Sequence, residues 1–220
     1  MKKNAGSAEQ LHLAMLLSVL GGMMDGYSYA VRGGVFATGQ TGNLVILAYS
    51  LMHGQYSRAF RAFVPILGFW CGIFAAQHIL SHFSFMREGR QKGAVLFLEA
   101  AALLGIGFVP ASVLDIIPNT ITALLAAMQF SAFRKFDDEL AYASVFCTGN
   151  MRAAAEYYYS GLIKGNRAAL KRALQYTGIL LSFLLGALAA MGLGESLGTK
   201  SIWLASIIAV LCGALLLRKA

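Results

Sequence analysis

The sequence predicts an all-α polytopic membrane protein, an inverted repeat of three plus three spanning helices with two re-entrant segments. Three observations lead to this prediction. The chain is 58% hydrophobic and 13% charged, whereas a soluble domain carries about 25% charged residues. The tripeptide Thr-Gly-Asn occurs twice, at 41–43 and 148–150. Lysine and arginine lie mainly in short loops between apolar runs, where they orient a membrane protein.

Further sequence echoes indicate an internal duplication. Segment 68–76 resembles segment 182–190, and the dipeptide Arg-Ala stands ten residues before each of them. Duplicated units in membrane proteins place their shared elements around a central site. We therefore expect one transmembrane domain with two repeats, covering residues 1–220 as a whole, about 11–114 for repeat 1 and about 119–218 for repeat 2.

Eight apolar segments are the candidate helices, four in each repeat. The first is interpreted as a retained span rather than a cleaved signal, because it contains Asp25 and lacks a convincing cleavage site. The second and sixth contain Thr-Gly-Asn and are the most polar, which a straight lipid-facing helix does not tolerate cheaply. The segments are roughly 11–31, 36–52, 62–82, 94–114, 119–133, 143–162, 173–194 and 201–218.

Loop charge indicates how many of these segments cross the membrane. If all eight cross with the N-terminus inside, ten Lys and Arg residues lie inside and seven outside. If both Thr-Gly-Asn segments dip in and return on the same side, thirteen lie inside and four outside, with Arg152 left within the membrane. The positive-inside rule favours the second arrangement. It predicts six spans, cytoplasmic termini and repeats of opposite orientation, although Arg58 and Arg61 on the outer side fit it poorly.

Each Thr-Gly-Asn segment is expected to enter the membrane as extended chain and to return as a short helix. Such non-helical backbone is tolerated only where it is buried in protein or lines a cavity. The helix N-termini near Asn43 and Asn150 would then face each other near the midplane. Each offers unpaired N–H groups and a partial positive charge of about +0.5. The arrangement predicts a site for an anionic or dipolar solute.

Several motifs are similar to those of the DUF1275 family, also called the YoaK-like family. The match rests on Gly-Met-Met-Asp at 22–25, on Gly-Gly-Val-Phe at 33–36 ahead of the first Thr-Gly-Asn, and on Met-Gln at 128–129 ahead of the second. It covers essentially the whole chain, with Phe130 standing where the family pattern often has Asn. The resemblance implies a polytopic protein of the bacterial inner membrane with a poorly defined, transport-related role, and it supplies no substrate.

The predicted substrate-binding residues are the two motifs and the polar groups around them. Asp25 is read either as a proton- or cation-coupling group or as a structural carboxylate, and Gln129 is its expected counterpart in repeat 2. Arg152 either reinforces the positive site or is neutralised by Glu156 at i+4. Thr and Asn also suit plain helix capping. The full set is Asp25, Thr41, Gly42, Asn43, Gln129, Thr148, Gly149, Asn150 and Arg152.

We expect an integral membrane transporter or channel for a small polar or anionic solute. The sequence does not decide whether the protein is a channel or a carrier, or whether it is a homo-oligomer or a monomer. The alternative is a non-transporting scaffold or assembly factor that holds a partner through small-residue faces around Gly72 and Gly186. We expect no enzyme and no cofactor, because no nucleophile or paired carboxylates stand at catalytic spacing. No metal site is expected either, because His78 and His82 lack a third ligand, and no nucleic-acid partner, because the basic residues form no continuous face.

Overall fold

The computed structural model describes residues 2–82, 85, 87–111, 115–137 and 140–218, with side chains from Gln10 onward. Within these ranges the chain forms eight α-helices, a two-stranded antiparallel ribbon and a 3-10 turn, Gly198–Ile202, between the last two helices. The elements are α1 (Lys2–Val31), α2 (Gln40–Met52), α3 (Tyr56–His82), α4 (Glu88–Ile106), α5 (Ile116–Ala132), β1 (Lys135–Asp137), β2 (Leu140–Ala141), α6 (Cys147–Leu162), α7 (Arg167–Leu197) and α8 (Trp203–Leu217).

The predicted all-helical architecture is confirmed, and all eight predicted helices are present with shifted ends. α7 begins at Arg167, before the predicted apolar segment, because the basic stretch that hydropathy excludes is helical in the structure. Asn166 caps this helix, since its side chain accepts a hydrogen bond from the N–H of Ala169 at 3.1 Å. Residues 112–114, Lys219 and the side chains of Lys2 and Lys3, which enter the span and charge predictions, lie outside the described residues.

The helix pairings repeat themselves along the chain. α1 packs on α7 and α5 packs on α3; α2 lies on α3 and α6 lies on α7; α4 pairs with α8. We match α1 to α4 with α5 to α8 in chain order. Under this match the α1–α7 pair corresponds to α5–α3, the α2–α3 pair corresponds to α6–α7, and the α4–α8 pair corresponds to itself. The peripheral positions of α2 and α6 therefore match, and these are the helices that begin with Thr-Gly-Asn.

Glycines show that two of these pairs run parallel. Gly22 and Gly26 of α1 lie against the backbone of Phe183 and Ala187 of α7, so residue numbers increase in the same direction along both helices. The absence of a Cβ is what lets the backbones approach this closely. α3 and α5 are parallel by the same test, with Gly68 at Thr120 and Gly72 at Leu124.

Hydrogen bonds show that α1 and α5, the first helices of the two predicted repeats, run antiparallel. The side chain of Asn119 donates to the carbonyl of Arg32 at 2.8 Å, and that of Gln129 donates to the carbonyl of Leu17 at 3.0 Å. α4 and α8 are also antiparallel, as shown by the bonds from Trp203 to Leu104 and from Ser206 to Ala100.

A buried arginine joins the ends of three helices. Arg32 is 1% exposed at the end of α1. Its guanidinium donates to the hydroxyl of Tyr27 at 2.7 Å and to the carboxylate of Asp115 at 3.0 Å. Its remaining N–H groups reach carbonyls at the end of α4, so all five donors are used. Those carbonyls belong to Ile106, Val109 and Pro110.

Two helical stretches of the described chain are long and apolar enough to cross a membrane. They are Tyr56–His82, with mean hydropathy 1.7, and Arg167–Leu217, with mean hydropathy 2.1, which includes both α7 and α8. Ile116–Ala132 is apolar but shorter. α1 and α4 do not reach this standard; α1 contains His12 and Asp25. Two candidate spans are therefore present, and the six-span topology stays a prediction.

Candidate functional site

The chain is non-helical and buried just before α2 and α6. We call residues 32–39 entry segment 1 and residues 142–146 entry segment 2. Ala37 and Thr38 of the first, and Ser144 and Val145 of the second, are each at most 1% exposed. The apolar stretches that the sequence places ahead of each Thr-Gly-Asn are thus enclosed by protein, which is the condition for irregular backbone at membrane depth.

The asparagine of each motif binds its own entry segment in the same way. Asn43 accepts from the N–H of Phe36 at 3.0 Å and donates to the carbonyl of Phe36 at 2.7 Å. Asn150 accepts from the N–H of Ala143 at 3.1 Å and donates to its carbonyl at 2.7 Å. In both copies the partner lies seven residues earlier. This pair of hydrogen bonds, which we call the Asn clamp, fixes the entry segment to the first turn of the helix.

The remaining amide hydrogen of each asparagine is also used. Asn43 donates to the side chain of Gln40 at 2.9 Å, and Asn150 donates to the carbonyl of Phe146 at 3.1 Å. Neither helix has a side-chain cap at its N-cap residue, Gly39 or Phe146. The predicted capping role therefore gives way to the Asn clamp, because these amides reach backward along the chain rather than forward to the helix N–H groups.

The other residues of the two motifs differ in their surroundings. Thr41 and Thr148 are exposed. Gly42 lies against the ring of Phe36, with no room for a Cβ, whereas a Cβ at Gly149 would have no atom within 4 Å. The two copies therefore share the Asn clamp and differ at glycine.

Asp25 fastens entry segment 1 to α1. Its two carboxylate oxygens accept from the N–H of Thr38 at 2.7 Å and from the hydroxyl of Thr38 at 2.5 Å. The adjacent turn of α1 reinforces this attachment, since the hydroxyl of Ser28 accepts from the N–H of Ala37 at 3.0 Å. Asp25 thus has donors for both oxygens from the backbone and side chain of its own repeat.

Gln129 takes the corresponding position in repeat 2. Its Nε2 donates to the hydroxyl of Ser144 in entry segment 2 at 2.7 Å as well as to Leu17 of α1. Its Oε1 is buried without a hydrogen-bond partner among the described groups. The predicted correspondence of Asp25 and Gln129 is matched in position, and the two differ in that only Asp25 is ionisable.

Both entry segments meet one face of α1, which we call the junction. Gly21 lies against the backbone of Ser144 and Val145, and Asp25 follows one helical turn later on the same face. Cys147, the first residue of α6, lies within electrostatic range of Asp25. Within the described chain α2 and α6 make no contact with each other or with α1, so the expected meeting of their N-termini is not seen; only their entry segments reach α1.

A cleft of about 850 Å³ opens beside entry segment 2. Its lining includes Gly149, Asn150 and Arg152 of the motif region, together with Glu156 and Arg172. Arg152 and Glu156 form the predicted i,i+4 ion pair at 3.3 Å, with both side chains mostly exposed. We call this cleft 1. It lies at the start of α7, at the same end of the bundle as the N-terminus of α1.

A second cleft, of about 660 Å³, opens beside entry segment 1. Its lining includes Gly33 and Gly34 at one wall and Arg58 and Arg61 at the other. It lies at the start of α3. α3 runs parallel to α5, and α5 runs antiparallel to α1. This cleft, which we call cleft 2, therefore lies at the opposite end of the bundle from cleft 1. Thr41, Gly42 and Asn43 are not part of its lining.

Of the arginines that line these clefts, the sequence predicts only Arg152 as a site residue. Arg58, Arg61 and Arg172 enter the sequence analysis only as loop charge or as markers of the duplication. The equivalent places of Arg58 and Arg172 in the two sequence echoes were the signal that would have identified that pair. Thr148, unlike its neighbour Gly149, is not among the residues that line cleft 1.

The chain matches the profile of DUF1275, described as a protein of unknown function, over residues 13–215, and it therefore belongs to that family. No curated protein and no solved structure shows significant similarity to it.

Proposed function

We propose that this DUF1275 protein is a membrane transporter or channel for a small anionic or polar solute, with inverted repeats that each supply one access cleft. The observation behind the proposal is the pair of arginine-lined clefts, one beside each entry segment and one at each end of the bundle. A solute-conducting protein needs access from both sides of the membrane, and the duplicated architecture supplies two equivalent openings.

Arginine makes these clefts suitable for anions. Its planar guanidinium matches carboxylate and phosphate geometry and stays charged at all relevant pH values. Cleft 2 has Arg58 and Arg61; cleft 1 has Arg152 and Arg172 with one neighbouring carboxylate, Glu156. The surplus of positive charge at both openings attracts anionic solutes.

The re-entrant topology is supported by helix directions. α1 and α3 run in opposite directions, as do α5 and α7, which six spans with two re-entrant segments require. The antiparallel relation of α1 and α5 supports inverted repeats.

A solute passing between the clefts would move past the junction. Asp25 and Gln129 are two of the polar groups there, and each forms a hydrogen bond with the entry segment of its own repeat. Gly33 and Gly34 adopt positive φ angles of 85° and 76°, which glycine tolerates without strain. These residues form the hinge on which entry segment 1 moves, with Asp25 as the group that links solute passage to a bound proton or cation.

The test is anion-dependent thermal stability of the purified protein, with phosphate, sulfate and acetate as probes. A ligand that binds the native state alone raises the melting temperature. We expect one of these anions to stabilise the wild type, and the double variant Arg152→Gln/Arg172→Gln to lose at least tenfold in affinity. Arg167→Gln is the matched control, since Arg167 lies on the same helix as Arg172 and is not part of the cleft lining.

Two results would contradict the proposal: no stabilisation of the wild type by any of these anions or by neutral polar metabolites, or equal stabilisation of the double variant. The first result, together with a partner protein retained on purification, would favour the scaffold alternative. That alternative gains no support from the glycine faces, because Gly72 and Gly186 pack against α5 and α1 of the same chain.

A further inference from the structure

Glu99 is a buried carboxyl group with no role in either cleft or in the junction. It lies in the middle of α4 and is 1% exposed. Neither carboxyl oxygen has a hydrogen-bond partner among the described residues. Asp25, by contrast, has donors for both oxygens. Sequence reasoning passed over Glu99, because one acidic residue in an otherwise apolar helix gives no spacing pattern.

The surroundings of Glu99 are apolar. Leu96 and Leu103 flank it one turn away on the same face of α4, and both are fully buried. α5, which packs on α4, has no ionisable side chain. On α8 the thiol of Cys212 lies within electrostatic range, and Arg218 follows at the helix end.

The remaining ionisable neighbours do not compensate Glu99. The other elements that pack on α4 are α3 and the 3-10 turn. On α3, His78 and His82 stack on each other, and in the turn Lys200 lies over the ring of Trp203. The Glu99 carboxyl is enclosed by protein, and no described group forms a hydrogen bond with it. An unpaired ionised carboxylate in such a place is far more costly than the neutral acid, so the group retains its proton.

A third cleft, of about 430 Å³, opens beside the first turns of α4, at the cytoplasmic end of the proposed topology. Lys92 of α4, Tyr142 and Leu216 of α8 belong to its lining. Lys92 precedes Glu99 by seven residues, about 10 Å along the helix.

We propose that Glu99 is a proton-binding site that exchanges its proton with the solvent through this third cleft. An intramembrane ionisable residue without a structural partner is a functional group by default. No hydrogen bond in the described chain offsets the free-energy cost of burying Glu99. Arg32 and Asp25, by contrast, are buried with hydrogen-bond partners. Coupling of this proton to solute movement rests on the proposed function, whereas proton binding itself does not.

The test is infrared spectroscopy of the protein in liposomes over a range of pH. We expect a carbonyl band of a protonated carboxylic acid at neutral pH that is absent from Glu99→Gln and present in the matched control Glu88→Gln, whose residue is exposed and paired with Lys92 at 2.6 Å. A band that Glu99→Gln leaves unchanged, or no such band in the wild type, overturns the proposal.

Two further variants keep the test decisive if Glu99→Gln folds poorly. Glu99→Leu removes the orphaned oxygens at similar volume and should raise the melting temperature; a lowered melting temperature would mean that Glu99 has a structural partner. Leu216→Trp fills the third cleft and should slow the deuterium shift of the band at least tenfold, and an unchanged rate excludes this route. Absence of anion stabilisation in the wild type would refute the proposed function and leave the band in place.

Discussion

Asn43 and Asn150 show how a short motif encodes a turn of backbone that has no regular structure. Each asparagine satisfies both the N–H and the carbonyl of a residue seven positions earlier. Buried backbone groups without partners are costly, and irregular chain cannot satisfy them by itself. Asn provides one acceptor and two donors in a short, rigid side chain, so it can replace the missing ladder of a strand.

Replacing either asparagine with alanine should therefore destabilise the protein. Both backbone groups of one partly buried residue, Phe36 or Ala143, lose a partner, at a cost of about 1–3 kcal/mol for each group that stays unsatisfied. Asn43→Ala and Asn150→Ala should each lower the melting temperature, measured by differential scanning fluorimetry in detergent. Thr41→Ala, a change in the same motif at an exposed position, should leave it unaltered. Equal melting temperatures for all three variants would refute the Asn clamp.

Arg32 has the same structural character at a different place. The sequence assigned it to an outer loop as one of four positive charges, because one buried arginine cannot be distinguished from a loop arginine by its position in the chain. Its partners, Asp115 and the end of α4, lie more than 70 residues away. Only the packing of α1, α4 and α5 brings them together.

Arg32→Lys should be strongly destabilising although it keeps the charge. Lysine has three donors on one nitrogen and cannot reach Tyr27, Asp115 and three carbonyls at once. Breaking a buried charged network costs about 3–5 kcal/mol. Chemical denaturation of the purified protein measures the loss, and Arg58→Lys, at an exposed position, is the control. A loss no greater than that of the control would show that the network contributes little.

At the scale of elements, the helices are held together through glycines. Gly186 of α7 lies against the backbone of Val19 of α1, and Gly72 of α3 lies against Leu124 of α5. The two glycines correspond in the sequence echo. The resemblance of segments 68–76 and 182–190 is therefore a shared packing solution, in which a parallel neighbour approaches at the same point of each repeat.

Two alanine substitutions in α7 test this packing. A Cβ at Gly186 would lie too close to the carbonyl of Val19, whereas a Cβ at Gly192 would have no atom within 4 Å. We expect Gly186→Ala to cost about 1–3 kcal/mol through overpacking, and Gly192→Ala to be neutral or to stabilise by up to about 1 kcal/mol through helix propensity. Thermal unfolding of both variants gives the comparison, and a neutral Gly186→Ala would refute close packing of α1 and α7.

Helix positions follow from hydropathy, but the site does not. Apolar runs predict where the helices lie, because burial and lipid exposure both require apolar faces. The correspondence of Asp25 and Gln129 follows from the duplication. The roles proposed for Arg61, Arg172 and Glu99 depend on which helices are neighbours, and a single sequence does not contain that information. The ribbon of β1 and β2 is missed for another reason, since its strands are too short to show alternation.

At the scale of the whole molecule, the two clefts make the orientation of the repeats testable. Ser57 belongs to the lining of cleft 2 and Ala168 to that of cleft 1. In the proposed inverted topology these two positions open on opposite sides of the membrane. A single-sided arrangement would place both on one side and would leave no path across.

Single cysteines at these positions should react from opposite sides. In a background where Cys71, Cys147 and Cys212 are replaced by serine or alanine, we expect Ser57→Cys to react with a membrane-impermeant maleimide from outside only, and Ala168→Cys only after the cytoplasmic side is exposed. Each residue is the second of its helix and is exposed, so differences in reactivity reflect the side of the membrane rather than the local environment. Labelling of Ser57→Cys from the cytoplasmic side alone would exclude re-entrant entry of the first Thr-Gly-Asn segment, because α2 would then have to cross the membrane completely.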